Sequence, residues 1–404
     1  MAEFYKLENE VKHYAWGSPD LIPVLTGKAN PERKPWAELW MGTHSGGPSK
    51  TTVRGKTVLL SEISPLPFLF KFLAAESPLS IQAHPNSIQA REGFERENNA
   101  GIPLSDPKRN YRDPNHKPEI TCALNSFTAM AGFRETAETS QLLSLVDGTN
   151  ELRSALKDGY LAFLSMLFEL KDEEKKALNS AVLACESQKL KEAEKKDYSP
   201  LCLCAELARI YPNDPGIISP LYLNVIELKP FEAIFLPAGI LHAYIHGFAM
   251  ECMANSDNVL RGGLTPKHID VKELFSVLSF DPYKPEILRP IALPSPGCYR
   301  YASSCNEFSL YLIQNPVSGI VSDPASPGTQ ELEVPEMGIF AVYDGRAEIS
   351  LSESRAKNAG QDKNGSLKKI VLNKGESVFI SRREAGESLV FSGDFTLLAA
   401  LGPE

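Results

Sequence analysis

Three short segments of the 404-residue chain hold side chains whose types and spacing could do chemistry together. In Pro78–Pro85, PLSIQAHP, an extended backbone turns alternate side chains to one face. Ser80, Gln82 and His84 then share a side, and Leu79, Ile81 and Ala83 take the other. In DPNHKPEITCAL, from Asp113 to Leu124, Pro118 lacks a ladder donor and biases Lys117 toward extended geometry. Lys117 and Glu119 therefore point one way as a strand begins, and His116 points the other. In FLPAGILHAY (235–244) a Pro–Gly turn delivers His242 and Tyr244 onto one face, with Leu241 and Ala243 opposite. Each segment alone also reads as a half-exposed strand, a polar turn or a packed histidine. Together they offer two imidazoles (His84, His242), one carboxylate (Glu119) and one amide oxygen (Gln82). That donor set suits Zn²⁺.

Such donors need a rigid scaffold, and the composition supplies one. Hydrophobic residues make up 43% and charged residues 23%, the balance of a packed globular chain rather than a disordered one. The length predicts two or three domains. The 27 glycines and 30 prolines point to many turns and a β-rich fold. A net charge of −9 argues against nucleic-acid binding, which wants a basic face, but leaves room for a local cationic cluster that holds a small anion. MAEFYKLENEV has no basic stretch followed by an apolar run, and no run approaches a bilayer span, so a cytoplasmic protein with no membrane partner is expected. The seven cysteines are scattered without a CxxC pair, which favours reduced thiols over disulfides or a thiolate metal site.

Along the chain, short apolar runs broken by Pro and Gly read as strands up to about residue 124. From about 125 to 220 the pattern is helical: ELRSALKDGYLAFLSMLFEL, then a helix opened by Asp172 as N-cap, then LCLCAELARIY, stopped by PNDPG. Strand character returns at LYLNVIELKPFEAIFL and runs to the C-terminus, where Asp344-Gly345 between FAVY and RAEISL predicts a hairpin. The polar stretch 353–369 reads as a mobile surface loop. Leu228-Lys-Pro-Phe-Glu232-Ala-Ile-Phe-Leu236 is echoed by Leu372-Asn-Lys-Gly-Glu376-Ser-Val-Phe-Ile380, which suggests a duplicated β-domain whose second copy lacks the histidine. If one barrel is chemical, it is the first.

Across nearly its whole length the sequence resembles the type I mannose-6-phosphate isomerases, a cupin family. The resemblance rests on HYAWGS (13–18), AELWMGTH (37–44), FLFK (68–71), SIQAHPN (80–86), NHKPE (115–119), AGFR (131–134), FLPAGILHAY (235–244) and MECMANSDNVLRGGLTPK (250–267). It implies that Gln82, His84, Glu119 and His242 bind one zinc. It also implies a mainly β fold with a helical insert: a catalytic cupin jelly roll from 1–124 plus 221–300, helices at 125–220, and a metal-free jelly roll at 301–404. The implied reaction interconverts mannose 6-phosphate and fructose 6-phosphate through a cis-enediol(ate), with a sugar phosphate as the partner and a monomeric chain.

A ligated imidazole has its lone pair occupied, so the base is sought among Glu251, Asp257 and Lys117. The resemblance points to Arg261 as the arginine that stabilises the enediolate. No Walker-type loop occurs, so the phosphate would need free cations or hydroxyls. Lys71, Lys117, Lys267 and Ser80 are the candidates, although a lysine inside PFLFKFLAA could equally meet a buried acid. His116 and Tyr244 are expected near the substrate. His246 shares the face of His242 in a regular strand but is read as solvent-facing or packed, and His13, His44 and His268 as structural or surface residues. Two rival readings stay open: an Fe(II) cupin dioxygenase on His84, Glu119 and His242, which Gln82 would obstruct by filling a position oxygen needs, and a non-catalytic sugar-binding cupin.

Overall fold

The computed structural model describes residues 3–189, 199–315, 330–332, 337–351, 369–381 and 388–403. Strands β1 (Phe4–Lys6), β2 (Glu10–Lys12), β3 (Glu38–Gly42), β4 (Lys50–Val53), β5 (Lys56–Leu59), β6 (Phe68–Ala75), β7 (Ile81–Ala83), β8 (Glu119–Ala123) and β9 (Phe127–Phe133) come first. Helices from Thr136 to Tyr222 follow. Then come β10 (Leu223–Leu228), β11 (Ala233–Leu236), β12 (His242–Ala254) and β13 (Leu260–Gly263). The remaining strands are β14 (Ile291–Ala292), β15 (Cys298–Arg300), β16 (Ser309–Gln314), β17 (Gln330–Leu332), β18 (Gly338–Leu351), β19 (Lys369–Asn373), β20 (Ser377–Ile380) and β21 (Leu389–Leu401).

The first sheet runs β10-β9-β12-β6-β3-β2, with β8 joining β11 and β12, and β7 joining β12 and β13. The second runs β1-β20-β18-β21-β16-β15-β14. Several boundaries differ from those expected. Helices begin at Thr136 rather than 125, because Phe127–Phe133 pairs with both β10 and β12 and is needed to close the first sheet. Residues 291–300 and Phe4–Lys6 belong to the second sheet, through β15–β16 and β1–β20 pairing.

Apolar packing on two outer walls orients the polar residues. The helices bury Ile81 and Ala83 of β7, Met130 of β9, Ala243 and Ile245 of β12, and Leu260 of β13. The second sheet covers the other wall, where Leu39, Met41, Phe68, Phe70, Phe72, Ile120, Cys122, Met250 and Cys252 meet Leu310, Leu312, Phe379, Leu398 and Ala400. Each large apolar side chain so buried contributes roughly 1.5–3 kcal/mol. In a strand the alternate residues must then face inward, and a one-residue slip would exchange the two sets. Gln82, Glu119, Thr121, His242 and Tyr244 face in for that reason, as do Lys71 and Glu251.

Three local expectations are corrected. Asp344-Gly345 forms no hairpin: β18 runs through it, with a bulge between Val342 and Asp344, and glycine is required at 345 because φ is 74° and a Cβ there would lie 2.0 Å from the Asp394 carbonyl oxygen. Asp172 is the first helical residue rather than the cap, and Glu174 reaches back to the Lys171 N–H at 2.7 Å. The region before 124 also contains a helix, Ser87–Asn99, opened by a capping box in which the Asn86 side chain accepts from Ile88 and Gln89 while Gln89 accepts from Asn86. The stretch read as a mobile loop lies outside the described residues, apart from Lys369 at the start of β19.

Candidate metal centre and substrate site

His84 follows β7, Glu119 opens β8 and His242 opens β12. Register brings them together: His242 pairs with Gln82 across β12–β7, and with Ala131 across β12–β9. The interior neighbours Ala129 and Ala131 are small, so the imidazoles have room. His84 is 2% exposed, His242 1% and Glu119 1%.

The hydrogen bonds leave one set of atoms free. His84 Nδ1 donates to the Asn258 carbonyl oxygen at 2.7 Å, and His242 Nδ1 to that of Ile240 at 2.9 Å. Both Nε2 lone pairs are therefore available. They lie 3.4 Å from opposite oxygens of Glu119, His84 from Oε1 and His242 from Oε2. His84 Nε2 and Glu119 Oε2 are buried with no hydrogen-bond partner, a costly state for polar atoms away from water. One nitrogen or oxygen from each of the three residues lies within 4.8 Å of the other two. The Gln82 carboxamide stands 3.4 Å from His242 Nε2; turned by 180° it presents Oε1 to the same point. These donors fit a tetrahedral N/O site for zinc. Burial, with Lys117 next in importance, holds the His84 imidazolium down to about 4, so the ring is neutral as a ligand must be. Lys117 Nζ lies 2.8 Å from Glu119 Oε1, and against the opposing effect of burial it helps hold that carboxyl well below its usual range.

A second polar row crosses the interior in register, Trp40↔Lys71↔Glu251↔Thr121 over β3, β6, β12 and β8. Lys71 Nζ meets Glu251 Oε2 at 2.5 Å and Glu38 Oε1 at 3.0 Å. Trp40 Nε1 donates to Glu38 Oε2 at 2.7 Å. Burial opposes the Lys71 ammonium, but Glu251 and Glu38 outweigh it and raise its proton affinity. Glu251 is pushed up by burial, despite Lys71. Lys71 is thus held by two carboxylates, and the expectation that it binds phosphate is corrected in favour of the buried-acid alternative. Tyr244 is likewise turned away from a substrate role: its hydroxyl is buried against Thr121 Oγ1 at 2.6 Å. His116 Nε2 lies 2.5 Å from Glu307 Oε1, in the loop between β15 and β16 of the second sheet, because it faces away from Glu119.

The remaining site residues fall at one end of the barrel. Arg261 pairs with Gln82 across β13–β7, and Ser80 directly precedes β7. Burial and the charge of Arg112 lower the Arg261 pKa; burial, Arg261 and Arg112 lower that of Lys267. Among the described residues none of the three pairs with a carboxylate. Asp257, side chain 53% exposed, lies 3.4 Å from His44 Nε2, whose hydrogen bond is the leading cause of its lowered pKa. His246 is exposed, since a bulge between Tyr244 and His246 breaks the alternation. Arg112, Glu38, Trp40 and Asn258 were not singled out from the sequence, although Arg112 is a basic residue immediately before DPNHKPE and the other three lie within AELWMGTH and MECMANSDNVLRGGLTPK.

Residues 4–136 match the family model of the phosphomannose isomerase type I catalytic domain. The mannose-6-phosphate isomerase of Salmonella typhimurium is 44% identical over 300 residues, covering 69% of this chain and 75% of that protein. The chain belongs to the type I phosphomannose isomerases. The probable mannose-6-phosphate isomerase of Caenorhabditis elegans is 31% identical over 435 residues, 98% of this chain and 95% of its own. A crystal structure of the Salmonella typhimurium enzyme, described as bound to fructose 6-phosphate and zinc, superposes with a TM-score of 0.83 at 34% identity, covering 99% of this chain and 100% of that one. The fold described above is thus that of the phosphomannose isomerases over its full extent. Among the described residues no helix is long and apolar enough to cross a membrane.

Proposed function

We propose that this chain interconverts mannose 6-phosphate and fructose 6-phosphate with one zinc held by His84, Glu119, His242 and Gln82. The observation that carries the reading is the pair of imidazole Nε2 atoms set 3.4 Å from the two oxygens of one buried carboxylate, with a cationic cluster that has no carboxylate ion pair among the described residues. Zinc there supplies Lewis-acid polarisation of the sugar's carbonyl and hydroxyl oxygens. Family membership favours this reading over the iron oxygenase and the non-catalytic binding cupin.

Arg112 and Lys267 would take the phosphate, since charged donors match its oxygens, with Ser80 beside them, while Arg261, opposite Gln82 across β13–β7, would stabilise the enediolate. The isomerisation removes a proton from C2 to give the C1–C2 double bond of a cis-enediolate with its charge on O1, passes the O2 proton to O1, and returns a proton to C1 as O2 becomes the carbonyl oxygen. Of the expected base candidates, Asp257 is held acidic by His44, and Lys117 is committed to Glu119. Glu251 is the carboxylate whose pKa is moved toward neutrality, and with Lys71 it forms the unit that holds and returns the proton. Buried neighbours in a dry barrel strengthen every charge interaction with the enediolate.

The test is a coupled assay for fructose 6-phosphate formed from mannose 6-phosphate, before and after chelation and with zinc added back. Activity lost on chelation and restored by zinc is expected. No turnover by folded, zinc-loaded protein would overturn the assignment.

A further inference from the structure

Asn258 is fully buried in the turn between β12 and β13, and its main-chain oxygen and side chain each meet part of the site. Its main-chain oxygen accepts from His84 Nδ1 at 2.7 Å. Its side-chain Oδ1 accepts from the Arg112 N–H at 2.7 Å and the Asp113 N–H at 3.3 Å. Its Nδ2 donates to the carbonyl oxygens of Asp113 at 2.8 Å and Asn115 at 2.9 Å, and lies 3.3 Å from Asp113 Oδ1. Asp113 in turn accepts from the Asp257 N–H at 2.8 Å, and Ser256 Oγ accepts from the Asn258 N–H at 3.2 Å. One residue therefore grips the 112–115 segment, which leads into Lys117 and Glu119, and also sets the ring orientation of His84.

We infer that Asn258 is the positioning residue that couples the metal centre to the phosphate cluster. Its main-chain carbonyl, aimed by the side-chain bonds that pin this turn to the 112–115 segment, keeps the proton of His84 on Nδ1, so that Nε2 faces the metal; Asn258→Ala retains that oxygen but frees the turn that aims it. Its carboxamide fixes the backbone of Arg112, and through it the distance from that guanidinium to the metal. Only a carboxamide side chain supplies a carbonyl-type acceptor and two N–H donors at once, and the asparagine is its shorter form. Outer partners of metal-bound histidines set tautomer and ring direction, and a small misplacement of a group that orients substrate is costly in rate. The inference rests on the metal and phosphate assignments proposed above. Those fail separately if His84→Ala retains zinc or if Arg112→Ala leaves KM unchanged.

The experiment compares wild type with Asn258→Ala, using zinc competition against a chromophoric chelator, KM and kcat at saturating zinc, and long-range ¹H–¹⁵N spectra of histidine-labelled metal-free protein. Zinc affinity is expected to fall about 10- to 100-fold, KM for mannose 6-phosphate to rise, and His84 to lose the single Nδ1–H tautomer seen in wild type. A purely structural role would lower thermal stability and leave the tautomer and both affinities within twofold; that result overturns the inference, as does weakening of zinc or substrate binding alone. Should Asn258→Ala not fold, Asn258→Ser is measured in its place. A wild-type His84 carrying its proton on Nε2 overturns it without any variant.

Discussion

Moving an ammonium or a carboxylate out of water costs several kcal/mol unless a partner compensates, and Lys71 meets two. Replacing it with Met leaves Glu38 and Glu251 facing each other without a cation, so Lys71→Met is expected to lose roughly 3–5 kcal/mol of stability, read as a shift in the urea midpoint. Glu251→Gln keeps the shape and removes the proton acceptor; kcat is expected to fall by about 10²–10⁴ with little change in KM. Lys267→Ala should do the reverse, raising KM by about 10- to 100-fold, the worth of a charge-assisted hydrogen bond, while kcat moves little; steady-state kinetics separate the two patterns. The cluster of His84, Glu119 and His242, with the proposed donor Gln82, was legible in sequence because alternation alone puts Gln82 with His84 and Lys117 with Glu119. Asn258 and Glu38 were not, because their roles consist of hydrogen bonds to residues far along the chain, 146 positions away for Asn258 and Arg112, and no local pattern encodes them.

At the scale of elements, the echo between the two halves is a real shared device. In the β10–β11 turn Glu232 accepts from the Lys229 N–H at 3.0 Å, and in the β19–β20 turn Glu376 accepts from the Asn373 N–H at 2.9 Å. The third turn residue takes positive φ in both, Phe231 at 67° and Gly375 at 78°. Glu232→Ala and Glu376→Ala should each destabilise by about 0.5–1.5 kcal/mol, measurable by denaturant titration. The sequence showed this because the turn is local. The passage of β18 through Asp344-Gly345 was hidden, since a glycine that permits a close approach to the neighbouring strand looks, in sequence, the same as one that permits a hairpin. The bulge that exposes His246 was hidden for a related reason: its cause is the pairing of β12 with different partners along its length.

For the molecule as a whole, the second sheet acts as the outer wall of the catalytic one. Its contacts include the Cys122 thiol on the Tyr301 hydroxyl at 3.3 Å and His116 on Glu307. Burial pushes the Cys122 thiol up from 9.0 to about 12. The folded protein keeps a proton that the unfolded chain releases, so this contribution is intact below about pH 9 and is lost as pH rises toward 12, at about 1.4 kcal/mol per pH unit. The urea midpoint should therefore drop between pH 8.5 and 10.5, and Cys122→Ser should flatten part of that slope. The mainly β character and the helical layer were legible from turn residues and periodicity. The swapped positions of Phe4–Lys6 and of residues 291–300 were not, because which sheet a short strand joins is settled by tertiary pairing.

Strand β1 carries a consequence for how the chain is made. Phe4–Lys6 has its ladder partner in Ser377–Ile380, and Lys6 its ion pair in Glu376, 370 residues downstream. During synthesis, then, the first strand waits with open edges until almost all of the protein has left the ribosome. Closure over so long a loop belongs to slow, high-contact-order folding, so β1 cannot be fastened before residues 377–380 are available to pair with it.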